Sequence, residues 1–569
     1  MRLRLLPLLL LVRFLPAADL AAVPPAGDLS SEMRPMIERY AADLASLNRT
    51  YPIQISATRQ ARLNEFLDQQ AAALAAVPFE SLSHDGQIDY ILLRNAQERL
   101  RHTLELQGRQ TAELEPILPF YTTIVDLEEE RRKMQPVNPA KIGDTLAQLE
   151  KDIEAARGHV EDLDAKDTLL RRAATRASEL RQTLEGWYEF YSGYDPVFTW
   201  WAKNPYQQVN TALEDYARLL RQLGTDVDGD KIIGDPVGRD ALVDYLAYNM
   251  IPYTPEELLT LARREMDWCE QQMIAASREM GYGSNWHEAL EYVKTRFVEP
   301  GEQPELVRRL AEEAIDFVVD RDLVTVPALA REDWWQEMLS PERQLTSPFF
   351  LGGDLILVAF PTDTMTQEQK LMTMRGNNEH FSRSVVFHEL IPGHHLQGFM
   401  ADRYRKYRET FATPFWSEGN AFYWELLLWD LGFPRGPEDR IGMLFWHMHR
   451  AARIIFSLSF HMGQMTGDQA VNFLVDRVGF ERFNAEAEVR RSVDGSYEPI
   501  YQSAYMLGAL QFYALHRELV ESGQMTNREF HDAILKENSI PVELIRADLT
   551  NQPLTRDYRA SWRFYDLEQ

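Results

Sequence analysis

Phe387-His388-Glu389-Leu390-Ile391-Pro392-Gly393-His394-His395-Leu396 has the letters of a zinc-binding helix with two residues inserted. In the H-E-x-x-H pattern, histidines four apart share one helix face and hold Zn²⁺ while the intervening Glu works on water. Here the fourth residue after His388 is Pro392. Two imidazole nitrogens on one zinc ion must lie within about 4 Å of each other. In an undistorted helix His394 sits about 240° round from His388, and His395 lies about 10.5 Å along the axis. A regular helix therefore cannot make the site. Pro392 lacks an amide hydrogen, and Gly393 tolerates unusual backbone angles. A Pro-Gly bulge in one kinked helix is expected to bring His394 into the vacant angular position, with His395 the alternative. If instead the helix ends at Pro392, a turn with two surface histidines follows.

A third ligand is available downstream. Glu418 and Glu425 are seven residues apart, hence on one helix face. Phe422, Tyr423, Trp424 and the leucines at 426–428 make that helix apolar nearly all round, so its acids need partners. A catalytic zinc site takes three protein ligands and an open position. The expected set is His388, His394 and Glu418, with Glu425 accepting a hydrogen from a ligand imidazole.

These residues carry a resemblance. The run from His388 to Gln397, followed by Glu418-Gly419, resembles the bacterial "domain of unknown function 885" family of predicted zinc metallopeptidases. Gly238-Arg239-Asp240-Ala241-Leu242, the helix start at Tyr253 to Leu258, and residues 499–508 are also similar to it. The chain departs from the family pattern at Ile500-Tyr501 and at Asn420, away from the expected ligands. By its two acids seven apart the family is similar to thimet-oligopeptidase-like peptidases, where the first acid is the ligand. The resemblance implies a large helical, zincin-like fold with a central cleft and a small β element. It also implies metal-assisted amide hydrolysis, with Glu389 as general base. Tyr505, at the family's Tyr position, is the expected donor to the oxyanion, and Tyr501 one turn earlier is the alternative.

The rest of the chain sets bounds. Met1-Arg2-Leu3-Arg4 and the short apolar run after it read as a secretory signal over 1–22, with a retained N-terminal anchor as the alternative. Export to a bacterial periplasm, or secretion, is expected. No later apolar run is long enough to span a bilayer. The single cysteine, Cys269, excludes an intramolecular disulfide and reads as a small buried residue. No Gly-x-Ser-x-Gly elbow supports serine chemistry. The net charge of −27 repels nucleic acid. Asp226-Val227-Asp228-Gly229-Asp230 mimics a calcium loop, but Lys231 and Val237 stand where that loop requires Gly and Glu.

Helical spacing dominates, as at 37–47, 63–74, 146–163 and 258–280, and Thr254-Pro255-Glu256-Glu257 is a start signal. The expected fold is mainly α, with a helical half over 23–345 and a second over 346–569 that carries the metal site, parted near 343–353. The β-rich residues 355–361 suggest an edge strand that an extended peptide could join. Arg490 and Arg491 are candidates for pairing with a substrate carboxylate. The pairs Trp200-Trp201 and Trp334-Trp335 are expected in the core or the cleft wall. The leading reading is an exported zinc peptidase acting on peptides or peptide-like amides. The alternatives are a metal-dependent hydrolase of another acyl bond and an inactive metal-binding scaffold.

Overall fold

In a computed structural model of the chain, residues 31–163, 165–224, 232–344, 349–350 and 352–567 are described. The signal segment, the 226–230 loop and part of the expected break at 343–353 lie outside them.

The expected helices form where local chemistry favours them. Thr254 and Glu257 make a reciprocal capping box at the head of Pro255–Glu279, each side chain satisfying the other's backbone N–H. The same device, Thr with Gln or Glu three residues on, opens Gln367–Gly376, Gly467–Phe473 and Asn527–Lys536. Helices Arg34–Thr50 and Ala57–Ala75 cover the apolar periodicities at 37–47 and 63–74. The fold is mainly α-helical.

Two apolar cores organise the helices. One runs through residues 114–220 and is closed by Pro139–His159, Asp167–Ser192 and Pro196–Leu223. The other joins residues 33–104 to residues 232–554. Trp200 projects from the first helical group at 83 % exposure and Trp201 at 48 %, so that pair lies neither in a core nor in a buried wall. Trp334 packs against the larger core, while Trp335 is exposed.

Helix Pro437–His461 runs through the larger core and is buried along nearly its whole length. Beside it, Pro414–Asp430 crosses Tyr501–His516 at glycines. A Cβ on Gly508 would stand 2.0 Å from the Phe415 carbonyl oxygen, and one on Gly419 would stand 2.5 Å from the Gly508 Cα. Only glycine allows this approach, which lays Tyr501 and Tyr505 of one helix over Glu418 of the other.

Among the described residues the β structure is a two-stranded parallel sheet. Strand β1, Trp335–Met338, pairs with β2, Leu355–Val358, in the register Trp335 to Leu355 and Met338 to Val358. The strand expected over 355–361 stops at Val358, and its partner begins at one of the Trp residues read as a core or wall pair.

Candidate metal centre

The helix that carries His388 is Glu379–Glu389, started by the Asn378 side chain, which accepts hydrogen bonds from the His380 and Phe381 amides. It does not continue through Pro392 as one kinked helix. The chain leaves helical geometry at Leu390 (φ −110°, ψ −107°), passes a cis Ile391–Pro392 bond, and starts a second helix, His394–Ala401. The break is stitched by backbone bonds. The Gly393 N–H donates to the Phe387 carbonyl at 3.0 Å, and the His395 N–H donates to the Leu390 carbonyl at 3.0 Å. A Cβ on Gly393 would lie 1.9 Å from the His388 carbonyl oxygen, so another residue there would force the two helices apart. The histidines after the break are not surface residues: His394 is partly buried and His395 buried.

The break brings His388 and His394 face to edge, with ring centroids 5.0 Å apart and planes at 88°. His388 Nε2 lies 3.5 Å and His394 Nε2 3.2 Å from Glu418 Oε2. One ligand atom from each of the three lies within 4.8 Å of the others. The far ring nitrogens are taken. His388 Nδ1 is 2.8 Å from Glu425 Oε1, and His394 Nδ1 is 3.2 Å from Gln397 Oε1. Once each ring is neutral with its N–H at Nδ1, the lone pairs of both Nε2 atoms are directed to the same place as Glu418. Two imidazoles and a carboxylate, each oriented from behind, fit a zinc ion.

His395 turns away, with Nε2 2.8 Å from the Ala330 carbonyl and Nδ1 3.3 Å from that of Gly353. Glu425 is itself held: Ser384 donates to its Oε2 at 2.6 Å, and Arg450 lies 3.4 Å from its Oε1. Gln397 also donates to the Ser417 carbonyl and to Asn420 Oδ1, both at 3.0 Å, which fixes which of its atoms faces His394.

Charge follows the same geometry. Burial raises the Glu418 carboxyl, but the neighbouring His394 and His388 outweigh it and hold the acid well below the usual carboxylate range. Burial lowers the His394 imidazolium, yet the Glu418 carboxylate beside it wins and lifts it to about 9. Glu389 goes the other way. Burial pushes its carboxyl up, and the pull of His388 and His394 does not reverse this. A Cβ on Gly352 would fall 2.5 Å from Glu389 Oε2, so the backbone just before β2 lies against this acid.

Both candidate tyrosines reach Glu418. The Tyr505 hydroxyl donates to Oε1 at 2.9 Å, and Tyr501 donates a short bond to the same oxygen. The Arg453 guanidinium lies 4.2 Å and that of Arg450 4.9 Å from the Tyr505 ring centre. Arg453 is held by Glu488, a fully buried acid kept well below its ordinary range by Arg453 and Arg491, whose charges overcome the cost of burial. Arg491 pairs with the same acid, whereas Arg490 is exposed. Cys269 is buried.

Sequence reasoning missed Gln397, Ser384, Arg450 and Arg453. The signals for them were local. Gln397 is three residues after His394 and Ser384 four before His388, one turn along the same face. Arg450 and Arg453 are charges inside an otherwise apolar helix, which need buried partners.

These features define a mainly helical protein with a buried pocket of two histidines and a glutamate backed by hydrogen-bonding side chains. The chain belongs to the family described as "Bacterial protein of unknown function (DUF885)", whose model matches residues 48–549. No curated protein matches it. Its fold is similar to that of a "putative lipoprotein of unknown function" from Shewanella oneidensis, at 16 % identity and TM-score 0.68, over 92 % of this chain and 100 % of that one. It is also similar to a "putative lipoprotein" from Colwellia psychrerythraea, at 15 % identity and TM-score 0.56, over 91 % and 97 %. No helix among the described residues is long and apolar enough to cross a membrane.

Proposed function

We propose that the protein is an exported zinc-dependent peptidase with a zincin-like catalytic arrangement, hydrolysing peptide or peptide-like amide bonds. The observation that carries this reading is the convergence of His388, His394 and Glu418 beside an acid, Glu389, that makes no side-chain hydrogen bond or ion pair among the described residues. A purely structural zinc site closes its coordination with protein ligands and has no use for a free base.

Zinc held by those three residues would supply a Lewis acid for the scissile carbonyl and make water acidic enough to attack at neutral pH. Glu389 takes the proton of the attacking water and passes it to the departing amine. Its raised affinity for protons brings it nearer the operating pH, where proton shuttling is most effective. Tyr505 and Tyr501 hold one oxygen of Glu418 so that the other faces the imidazoles, and either phenol, by turning its single hydrogen from Glu418 to the developing oxyanion, would donate there without carrying charge. Export is supported by the basic and apolar N-terminal segment and by the lipoprotein description of the two similar structures.

The test pairs zinc content by elemental analysis with digestion of a mixed peptide pool by wild type and Glu389→Gln, read by mass spectrometry. The expected outcome is bound zinc in both proteins and cleavage only in wild type. Equal cleavage by the variant, or a wild type that neither retains zinc nor cuts any peptide, overturns the reading.

A further inference from the structure

Two guanidiniums share the buried acid Glu488. Arg453 Nε donates to its Oε1 at 2.6 Å, and Arg491 donates to its Oε2 through Nε at 2.9 Å and through Nη2. His449 also faces this acid, but burial and the Arg453 charge keep the ring neutral, its imidazolium lowered to about 3. The surrounding charges cancel without drawing on the pair. Arg450 faces Glu425, and Glu498 is paired with Arg99 at 2.5 Å. Glu418 is balanced by the His394 proton in the metal-free protein, and a zinc ion would offset Glu418 and Glu389 together. Exposed Asp494 has the equally exposed Arg490 one turn before it. One positive charge is therefore left over beside Glu488.

Unused donors match that surplus. Arg453 is 3 % exposed, and its Nη1 is buried without a hydrogen-bond partner among the described residues. Arg491 Nη1 is likewise unbonded among them, and 15 % of that side chain reaches solvent. Two guanidiniums withdrawn from water against one carboxylate are costly unless a second anion joins them.

The pair stands at the tyrosines of the metal centre. Arg453 lies 4.2 Å from the Tyr505 ring centre, and Arg491 lies 5.8 Å from that of Tyr497, which stacks on Tyr501 with centres 4.5 Å apart. Tyr501 and Tyr505 both donate to Glu418. Over the Tyr505 ring, the path from the Arg453 guanidinium to Glu418 is no longer than about 10 Å, while extended chain advances about 3.3–3.6 Å per residue. An anion held beside this pair thus stands a residue or two beyond a bond broken at the metal.

We propose, resting on the peptidase reading above, that Arg491 receives the carboxylate of the substrate's own C-terminus, so that the enzyme shortens peptides from that end by one or two residues. A carboxylate matches the planar fork of a guanidinium and supplies the missing anion. Arg453 and Glu488 are positioning residues that hold Arg491 at the tyrosines. A chain running on past this point would offer the surplus charge only a neutral peptide group.

The test uses the zinc-loaded full chain and a pool of N-acetylated peptides of mixed sequence, made once with a free C-terminal carboxylate and once with a carboxamide. Products are read by mass spectrometry, and rates are measured on matched pairs. The free acids are expected to lose one or two residues from the carboxyl end, with kcat/KM about 10²-fold above the amides. Arg491→Gln is expected to lower kcat/KM on the acids about 10- to 100-fold, chiefly through KM, while the amides change little; Arg491→Lys should recover part of the loss. Should the glutamine variant fold poorly, the acid-to-amide ratio of wild type decides alone. Equal rates on acids and amides, cuts placed by an internal Asp or Glu whatever the terminus, or an unchanged ratio in folded Arg491→Gln overturn the proposal and leave the peptidase reading standing. No cleavage of either pool by the zinc-loaded wild type overturns both.

Discussion

Among the described residues, two places bring three metal-binding side chains within 4.8 Å of one another: His388, His394 and Glu418, and Asp85, Glu537 and Asp548. They differ in what already fills them. In the carboxylate cluster, Arg408 is fully buried and donates to Asp89 and Glu537, and Arg405 pairs with Asp85 at 2.8 Å. A guanidinium does not give up its charge in a protein, so the place of a cation is permanently taken. Burial still pushes Glu537 and Asp548 up, despite those arginines. In the histidine cluster the positive charge beside Glu418 is a proton on an imidazole, which can leave. Three ligand atoms in proximity therefore do not suffice for a metal centre; the place of the cation must also be open to exchange.

The comparison breaks most visibly at Arg408. Replacing it by Ala leaves the buried Asp89 without a cation and Glu537 with Arg405 alone, and is expected to cost about 3–5 kcal/mol of stability, read as a large fall in melting temperature. Added calcium or zinc should not restore it. A variant rescued by a divalent ion would mean that the carboxylate cluster is a metal site after all.

Next in size is Tyr505→Phe. If the surroundings of the histidine cluster serve a reaction, loss of this hydroxyl should lower kcat about 10²- to 10³-fold with zinc content unchanged. A drop confined to zinc content would reduce Tyr505 to a prop for Glu418. A smaller effect belongs to Glu425→Gln, which weakens the hold on His388 Nδ1. Zinc affinity should fall about 10- to 100-fold, measured by competition with a chelator. An unchanged affinity would detach Glu425 from the centre.

Much of this was legible in the sequence. Glu418 and Glu425 could be put on one face because seven residues span two helical turns, and the Thr254–Glu257 box could be read because capping is local. The path from His388 to His394 could not. It depends on Gly393 resting against the His388 carbonyl, a contact between segments that pattern analysis treats as one helix. His394 was preferred in the letters with His395 the alternative, and the carbonyls that engage His395 come from distant segments, Ala330 in the helix Ala328–Glu332 and Gly353 just before β2. Arg450 and Arg453 escaped for a similar reason, since the partners that let them be buried, Glu425 and Glu488, lie 25 and 35 residues away. Trp200 and Trp201 show the opposite failure: apolar character suggested burial, but burial belongs to the packing of neighbouring helices, and these two face outward.

The smallest effect tests the displaceable proton most directly. In the metal-free protein His394 keeps its proton up to about pH 9, because the Glu418 carboxylate favours the charged ring against the cost of burial. A zinc ligand must be the neutral imidazole, so below that pH each ion bound expels one proton from His394. Affinity should therefore rise about tenfold for each pH unit from neutrality towards 9, equivalent to about 1.4 kcal/mol per unit, and flatten above it. Calorimetry in buffers of different ionisation enthalpy should detect the released proton at pH 7. The carboxylate cluster offers no such proton from its arginines. An affinity independent of pH between 7 and 9 would mean that the ring is already neutral in the empty pocket, and that the difference between the two clusters lies in ligand type alone.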